Sequence, residues 1–270
     1  IPTNIKYLHL PDKNFSEKIL YAISLVNTSK IALCADDDFI LHESLYKGND
    51  FLNRNVDYSS VVGQYACFKK DFDGVFYQMY KWNINDRNIS KDPISNVKSF
   101  FYNYHQILWA MYRKDVILDS FDAIAKSRFR NDNFIELSIG AIACFKGGIK
   151  IFNFIWGVRE KNSDDHWAVR HIPLNMIQKK KLEVDFTQFK KNIDAITFDG
   201  YSDIVMSSYL DNQSKHSNSI KRKIKNIIPN SIVTFLKKYL YQRNDILNPI
   251  EKKYSVQFEK IRFILLNQFL

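Results

Sequence analysis

Hydrophobic and polar positions alternate between helical and extended spacing, and near the N-terminus the two kinds of segment follow one another closely. Residues 6–10 (KYLHL) predict a short strand ended by a Pro-Asp turn. Apolar residues at 15, 19, 20, 23 and 26 keep helical spacing, so residues 15–26 predict a helix with Asn14 or Ser16 as N-cap. After Asn27-Thr28-Ser29, the nearly all-apolar run 30–35 (KIALCA) has the composition of a strand buried on both faces of a sheet. Strand, helix and strand in this order predict a βαβ unit, whose ligand crevice lies beyond the carboxyl end of its strand. Three consecutive aspartates, Asp36, Asp37 and Asp38, stand at that end.

Further along, residues 42–53 predict a helix, and residues 58–69 a strand pair or one bent strand with Gly63 at a bulge. Residues 71–98 are polar, aromatic-rich and poorly periodic, which predicts loop and short helix. A helix over 133–145 ends at Gly147-Gly148, a strand follows over 150–155, and a loop of mixed charge covers 158–170. From Ile172 the pattern is helical, with a Ser/Asn/Lys-rich boundary at 212–219. The predicted fold class is therefore α/β. A domain over 1–170 carries a mixed, Rossmann-like sheet flanked by helices, 171–212 form a helical connection, and 213–270 form a basic, amphipathic helical extension.

Composition narrows the function classes. With 46% hydrophobic and 15% aromatic residues the chain buries a substantial core, which excludes a mostly disordered protein. The net charge of +10 is uneven: from Gln213 onward 12 Lys and Arg face 3 Asp and Glu, against 27 and 26 before it. The basic character belongs to the C-terminal segment, and no nucleic-acid motif accompanies it. Cys34, Cys67 and Cys144 lie far apart among apolar neighbours, which predicts buried thiols rather than disulfides or a zinc site. No apolar run is long enough for a spanning helix.

The acidic run is the strongest chemical signal. Adjacent carboxylates repel one another and would repel a nucleotide diphosphate, unless a hard divalent cation with oxygen ligands sits between them. In an extended turn Asp36 and Asp38 share one side and Asp37 faces away. The competing reading is a solvated loop in which Asp36 or Asp37 caps the helix beginning near His42.

With its strand and following helix, the stretch 27–45 (NTSKIALCADDDFILHESL) resembles inverting glycosyltransferases of the GT-A fold, family 2 in the broad sense, as found in bacterial surface-polysaccharide synthesis. The resemblance covers about residues 4–160. It implies a strand–helix–strand preceding Asn4, Mn²⁺ or Mg²⁺ as cofactor, Asp38 as direct metal ligand, and Asp36 on the donor ribose or the cation. Asp37 stands beside the donor. A second match, 130–151 (RNDNFIELSIGAIACFKGGIKI), is similar to the helix that carries the family's catalytic acid, and implies Glu136 as general base with Asp132 in reserve. The family's usual second acid is Leu137 here. A third, looser match makes His166 a metal ligand, with Arg159, Lys161, Lys18 and His42 as candidates for the donor diphosphate.

Among the aromatic residues, Trp82 and Tyr104 are the first candidates to pack on an acceptor sugar, with His105 as a hydrogen-bond donor; core packing is the alternative for most of these rings. Residues 220–240 combine an apolar stripe with Lys and Arg on other faces, which fits an anionic membrane surface and equally a cover for the catalytic domain or a partner. The expected activity is transfer of a sugar, with inversion, from a nucleotide-sugar donor to a hydroxyl of a surface glycan or lipid-linked acceptor. The expected location is cytoplasmic, peripheral on the inner face of the membrane. A non-catalytic membrane-surface or partner-binding protein of the same fold is the alternative, and a phosphotransferase using the same acids is a third.

Overall fold

The computed structural model describes residues 5–71, 74–79, 92–160, 182–217, 256–257 and 259–261. It is a mixed α/β structure whose sheet has six strands in the order β1-β5-β3-β6-β2, with β4 pairing the distal part of β3. The strands are β1 (Lys30–Ala32), β2 (Asp38–Ile40), β3 (Tyr58–Asp71), β4 (Gly74–Met79), β5 (Met111–Arg113) and β6 (Gly148–Glu160). The helices are α1 (Phe15–Ser24), α2 (His42–Arg54), α3 (Pro93–Tyr102), α4 (Lys114–Ser127), α5 (Asn133–Lys146), α6 (Glu183–Ile196) and α7 (Tyr201–Ser217).

Helix α1 forms where its spacing predicts, and Asn14 closes a reciprocal capping box with Glu17 at 3.0 Å in both directions. The βαβ unit does not form. Residues 5–10 are irregular, with Tyr7 75% exposed, so among the described residues no strand precedes α1. The apolar run after α1 pairs over Lys30–Ala32 alone, antiparallel to β5, at one edge of the sheet. Its apolar residues Ile31 and Leu33 are buried within the hydrophobic core rather than between two flanking strands. Short apolar composition reports burial and leaves the source of burial open.

The chain crosses from that edge to the opposite one over residues 33–37 and re-enters the sheet as β2, antiparallel to β6. β3 and β6 are the long parallel pair at the centre. Their register shifts between Val62 and Gln64, where Gly63 leaves no space: a Cβ there would lie 2.6 Å from the Phe154 carbonyl oxygen. Residues 74–79, expected as loop, form β4. β6 runs through to Glu160, past the expected end at 155. Helix α4 has no counterpart in the predicted elements. It ends at Arg128 in the left-handed region, φ 48°. Helix α7 continues unbroken through Ser217, where a boundary was expected from residue 212.

Helix α5 is the centre of the core, with every residue from Phe134 to Cys144 buried. Trp156 on β6 is fully buried beside it in the core, and its indole N–H donates to the Trp109 carbonyl at 3.1 Å. The Tyr65 hydroxyl donates to the same carbonyl at 3.0 Å. Arg113 fastens α2 to the sheet, donating to the carbonyls of Leu52 (2.7 Å), Asn55 (3.0 Å) and Tyr58 (2.7 Å).

Close approach of β2 to β6 depends on Gly157. A Cβ on it would meet the Tyr65 ring at 2.7 Å and the Phe39 carbonyl at 2.9 Å. Gly157→Ala is expected to destabilise the fold by about 1–3 kcal/mol through overpacking. Denaturant unfolding checks this, as a lowered midpoint at unchanged slope.

Candidate functional site

The acidic run forms a reverse turn. The Asp38 amide donates to the Ala35 carbonyl at 3.3 Å, which leaves Asp36 and Asp37 exposed at the tip. Neither caps α2, whose N-cap is Leu41 with no side-chain bond. Asp38 points the other way. As the first residue of β2 it pairs with Arg159 on β6, and its side chain is 2% exposed.

Register puts Asp38 and Arg159 side by side, and chemistry joins them. The Arg159 Nε donates to Asp38 Oδ2 at 3.0 Å, and the guanidinium lies over the Tyr65 ring, 5.2 Å from its centroid. A second guanidinium nitrogen, Nη1, donates to Gln106 Oε1 at 3.3 Å. The amide of Gln106 in turn donates to Glu136 Oε1, and the Tyr104 hydroxyl donates to Glu136 Oε2 at 3.0 Å. Asp38, Arg159, Gln106, Glu136 and Tyr104 thus form one continuous polar chain. It runs from the acidic turn to the first turn of α5.

Each link answers a burial problem. Glu136 is 6% exposed in the buried, mostly apolar stretch of α5, and a carboxylate there needs donors. Tyr104 supplies one from a ring that stacks on Phe101 (5.7 Å) and meets Tyr209 edge-on (5.2 Å). Tyr104 is half-buried, and its hydroxyl is the group that joins it to Glu136. Burial, and then the Glu136 charge, push that hydroxyl's pKa well above the usual tyrosine value. Burial likewise raises the Asp38 pKa, opposed by the Arg159 charge and hydrogen bond and reinforced by Asp37 and Asp36. Its second oxygen, Oδ1, is buried without a hydrogen-bond partner.

The other expected residues fall elsewhere. Asp132 stands at the N-cap of α5, where its side chain makes no cap bond, and lines a groove of about 470 Å³ with Asn14, Glu17 and Arg128. Lys18 is exposed on α1, which packs on α4, and His42 opens α2. His105 is half-buried between Tyr104 and Gln106. Trp82, Lys161 and His166 lie outside the described residues, as do residues 220–240. Leu137, where the family's second acid would stand, is a core residue 1% exposed. Cys34, expected buried, is exposed and donates its thiol to the Asp38 carbonyl at 3.5 Å; Cys144 is buried as expected. Among the described residues no three His, Cys, Asp or Glu converge as a ready-made metal site, and no helix is long and apolar enough to cross a membrane.

Gln106 is the member that sequence reasoning missed. Nothing in its residue type marks it, although its neighbours Tyr104 and His105 were candidates. No known protein-family model matches the chain, and neither does any curated protein, so the site is read from its own geometry.

Removing Arg159 would leave the Asp38 carboxylate buried and uncompensated, and Arg159→Ala is expected to cost about 3–5 kcal/mol at neutral pH. An acid whose folded pKa is raised favours the fold in its protonated form. Stability from this source is present below the unfolded pKa and is lost as pH rises through the folded pKa. The Arg159→Ala deficit should therefore be smaller at roughly pH 4 than at roughly pH 8. Urea unfolding of both proteins across that range checks the sign.

Proposed function

We propose that this protein is a metal-dependent glycosyltransferase of the inverting GT-A type, acting from a nucleotide-sugar donor on a glycan or lipid-linked hydroxyl. The observation that carries this reading is the polar chain joining Asp38 to Glu136 through Arg159 and Gln106. An enzyme of this kind needs a diphosphate-holding acid and an acceptor-activating acid in one site. The two acids to which the resemblance gives these roles meet in one network.

The residues present fit a divalent cation in one specific way. Asp38 Oδ1 is a desolvated carboxylate oxygen with no hydrogen-bond partner, and Mg²⁺ or Mn²⁺ held by one or two carboxylates draws its remaining ligands from substrate phosphate and water. Asp38 would hold the ion, with Asp36 at the tip of the same turn. When bound, the ion supplies the positive charge that stabilises a departing nucleoside diphosphate. Arg159 fixes Asp38 and sets how much negative charge the site presents. Tyr104 and Gln106 hold Glu136 in a single orientation, from which it would take the acceptor hydroxyl's proton as that oxygen attacks the anomeric carbon.

A second reading rests on how much of the same network is already engaged. Arg159 already neutralises Asp38, and both Glu136 oxygens accept hydrogen bonds. A non-catalytic protein retaining the fold would keep such a chain purely as a buried polar brace.

Calorimetric titration of the full chain with several nucleoside diphosphates, with and without Mn²⁺, separates the two. The enzyme reading expects metal-dependent binding that Asp38→Asn abolishes. It also expects Glu136→Gln to retain binding while transfer falls about 10²–10⁴-fold. Binding of none of these nucleotides, with or without metal, would overturn it.

A further inference from the structure

The outer edge of β6 is covered in relay. Beyond Gly157 it is paired by β2, which brings Asp38 to Arg159. At Trp156 the carbonyl accepts the Leu41 amide at 2.9 Å. At Ile155 the carbonyl accepts the Ser44 hydroxyl at 2.7 Å, and the amide donates to the side-chain oxygen of Gln257 at 3.3 Å. Ile155 is fully buried and lies between two register shifts of the β3–β6 pair. Gln257 therefore reaches from far along the chain to serve a buried amide where the central ladder is irregular.

Two further contacts seat the same segment. Ile261 is fully buried, and Lys260 forms an ion pair with Glu43 in the first turn of α2. An apolar anchor, a surface ion pair and a hydrogen bond to the sheet together distinguish a docked segment from a chance contact.

We infer that this C-terminal segment is a latch, with Gln257 as a positioning residue that fixes β6 and thereby the Asp38–Arg159 pair. Its action on nucleotide binding rests on the proposed function; its action on the pair does not. Release of Gln257 frees the Ile155 amide, loosens β6 just ahead of Gly157, and lets β2 shift against it.

The test compares Gln257→Leu, which keeps bulk and loses the acceptor, with Gln257→Glu, which keeps an acceptor oxygen. Hydrogen exchange of the Ile155 amide and of the Arg159 Nε–H is followed by NMR in the ligand-free full chain. Gln257→Leu is expected to speed both about tenfold, and Gln257→Glu to restore them. Faster exchange at Ile155 with Arg159 unchanged would overturn the coupling, and no change at either would overturn the latch. Should Gln257→Leu fail to fold, Lys260→Ala gives a second route, expected to speed both groups about threefold; unchanged exchange there overturns the latch. In parallel, the Mn²⁺–UDP affinity of Gln257→Leu is expected to fall about threefold or more. Failure of wild-type protein to bind any of the nucleoside diphosphates, with or without Mn²⁺, sinks the proposed function and leaves the exchange result intact.

Discussion

The burial of the Asp38 carboxylate against the Arg159 guanidinium is the constraint around which the candidate site is organised. A carboxylate 2% exposed costs several kcal/mol in desolvation unless a charge and donors compensate it. Arg159 meets that need with a planar group whose other surfaces are also used, one edge on Gln106 and one face over Tyr65. The pair exists because β2 and β6 align Asp38 with Arg159. That alignment in turn requires the close approach that Gly157 permits.

The second acid poses the same problem on a helix. Eleven consecutive residues of α5 are buried, and Glu136 is the one carboxylate among them. Gln106 links the two acids because an amide carries an acceptor at one end and a donor at the other. Its oxygen faces the guanidinium and its nitrogen faces the carboxylate. Reversing the amide would set donor against donor and acceptor against acceptor, so the network has one orientation. Around Gln106 the network is engaged at both ends, and buried polar networks of this kind hold a single geometry.

This arrangement alters the functional argument from its form in the sequence. The acids were expected at the carboxyl end of a buried strand closing a βαβ unit, with a cation as their main neutralising charge. They stand instead in a turn that crosses between the two edges of the sheet, and a protein cation already sits on Asp38. Any diphosphate or metal must work within the balance that Arg159 sets. The site is thus less acidic than three adjacent aspartates suggest.

By itself the sequence determined the local elements whose periodicity is strong. The capped helix α1, helix α2, the β3 strand with its irregularity at Gly63 and the glycine-terminated helix α5 all follow from side-chain spacing and cap chemistry. It also marked Asp38, through the triple aspartate, while Glu136 was marked only through the resemblance of residues 130–151 to a catalytic helix. Tertiary structure alone decided that the run beginning at Lys30 is an edge strand, that residues 6–10 form no strand among the described residues, and that the C-terminal segment returns to β6. It alone placed Arg159 on Asp38 and recruited Gln106. The reason is physical: spacing along a chain encodes which face of an element is apolar, whereas strand order and polar pairing are set by contacts between residues distant in sequence, for which no local pattern exists.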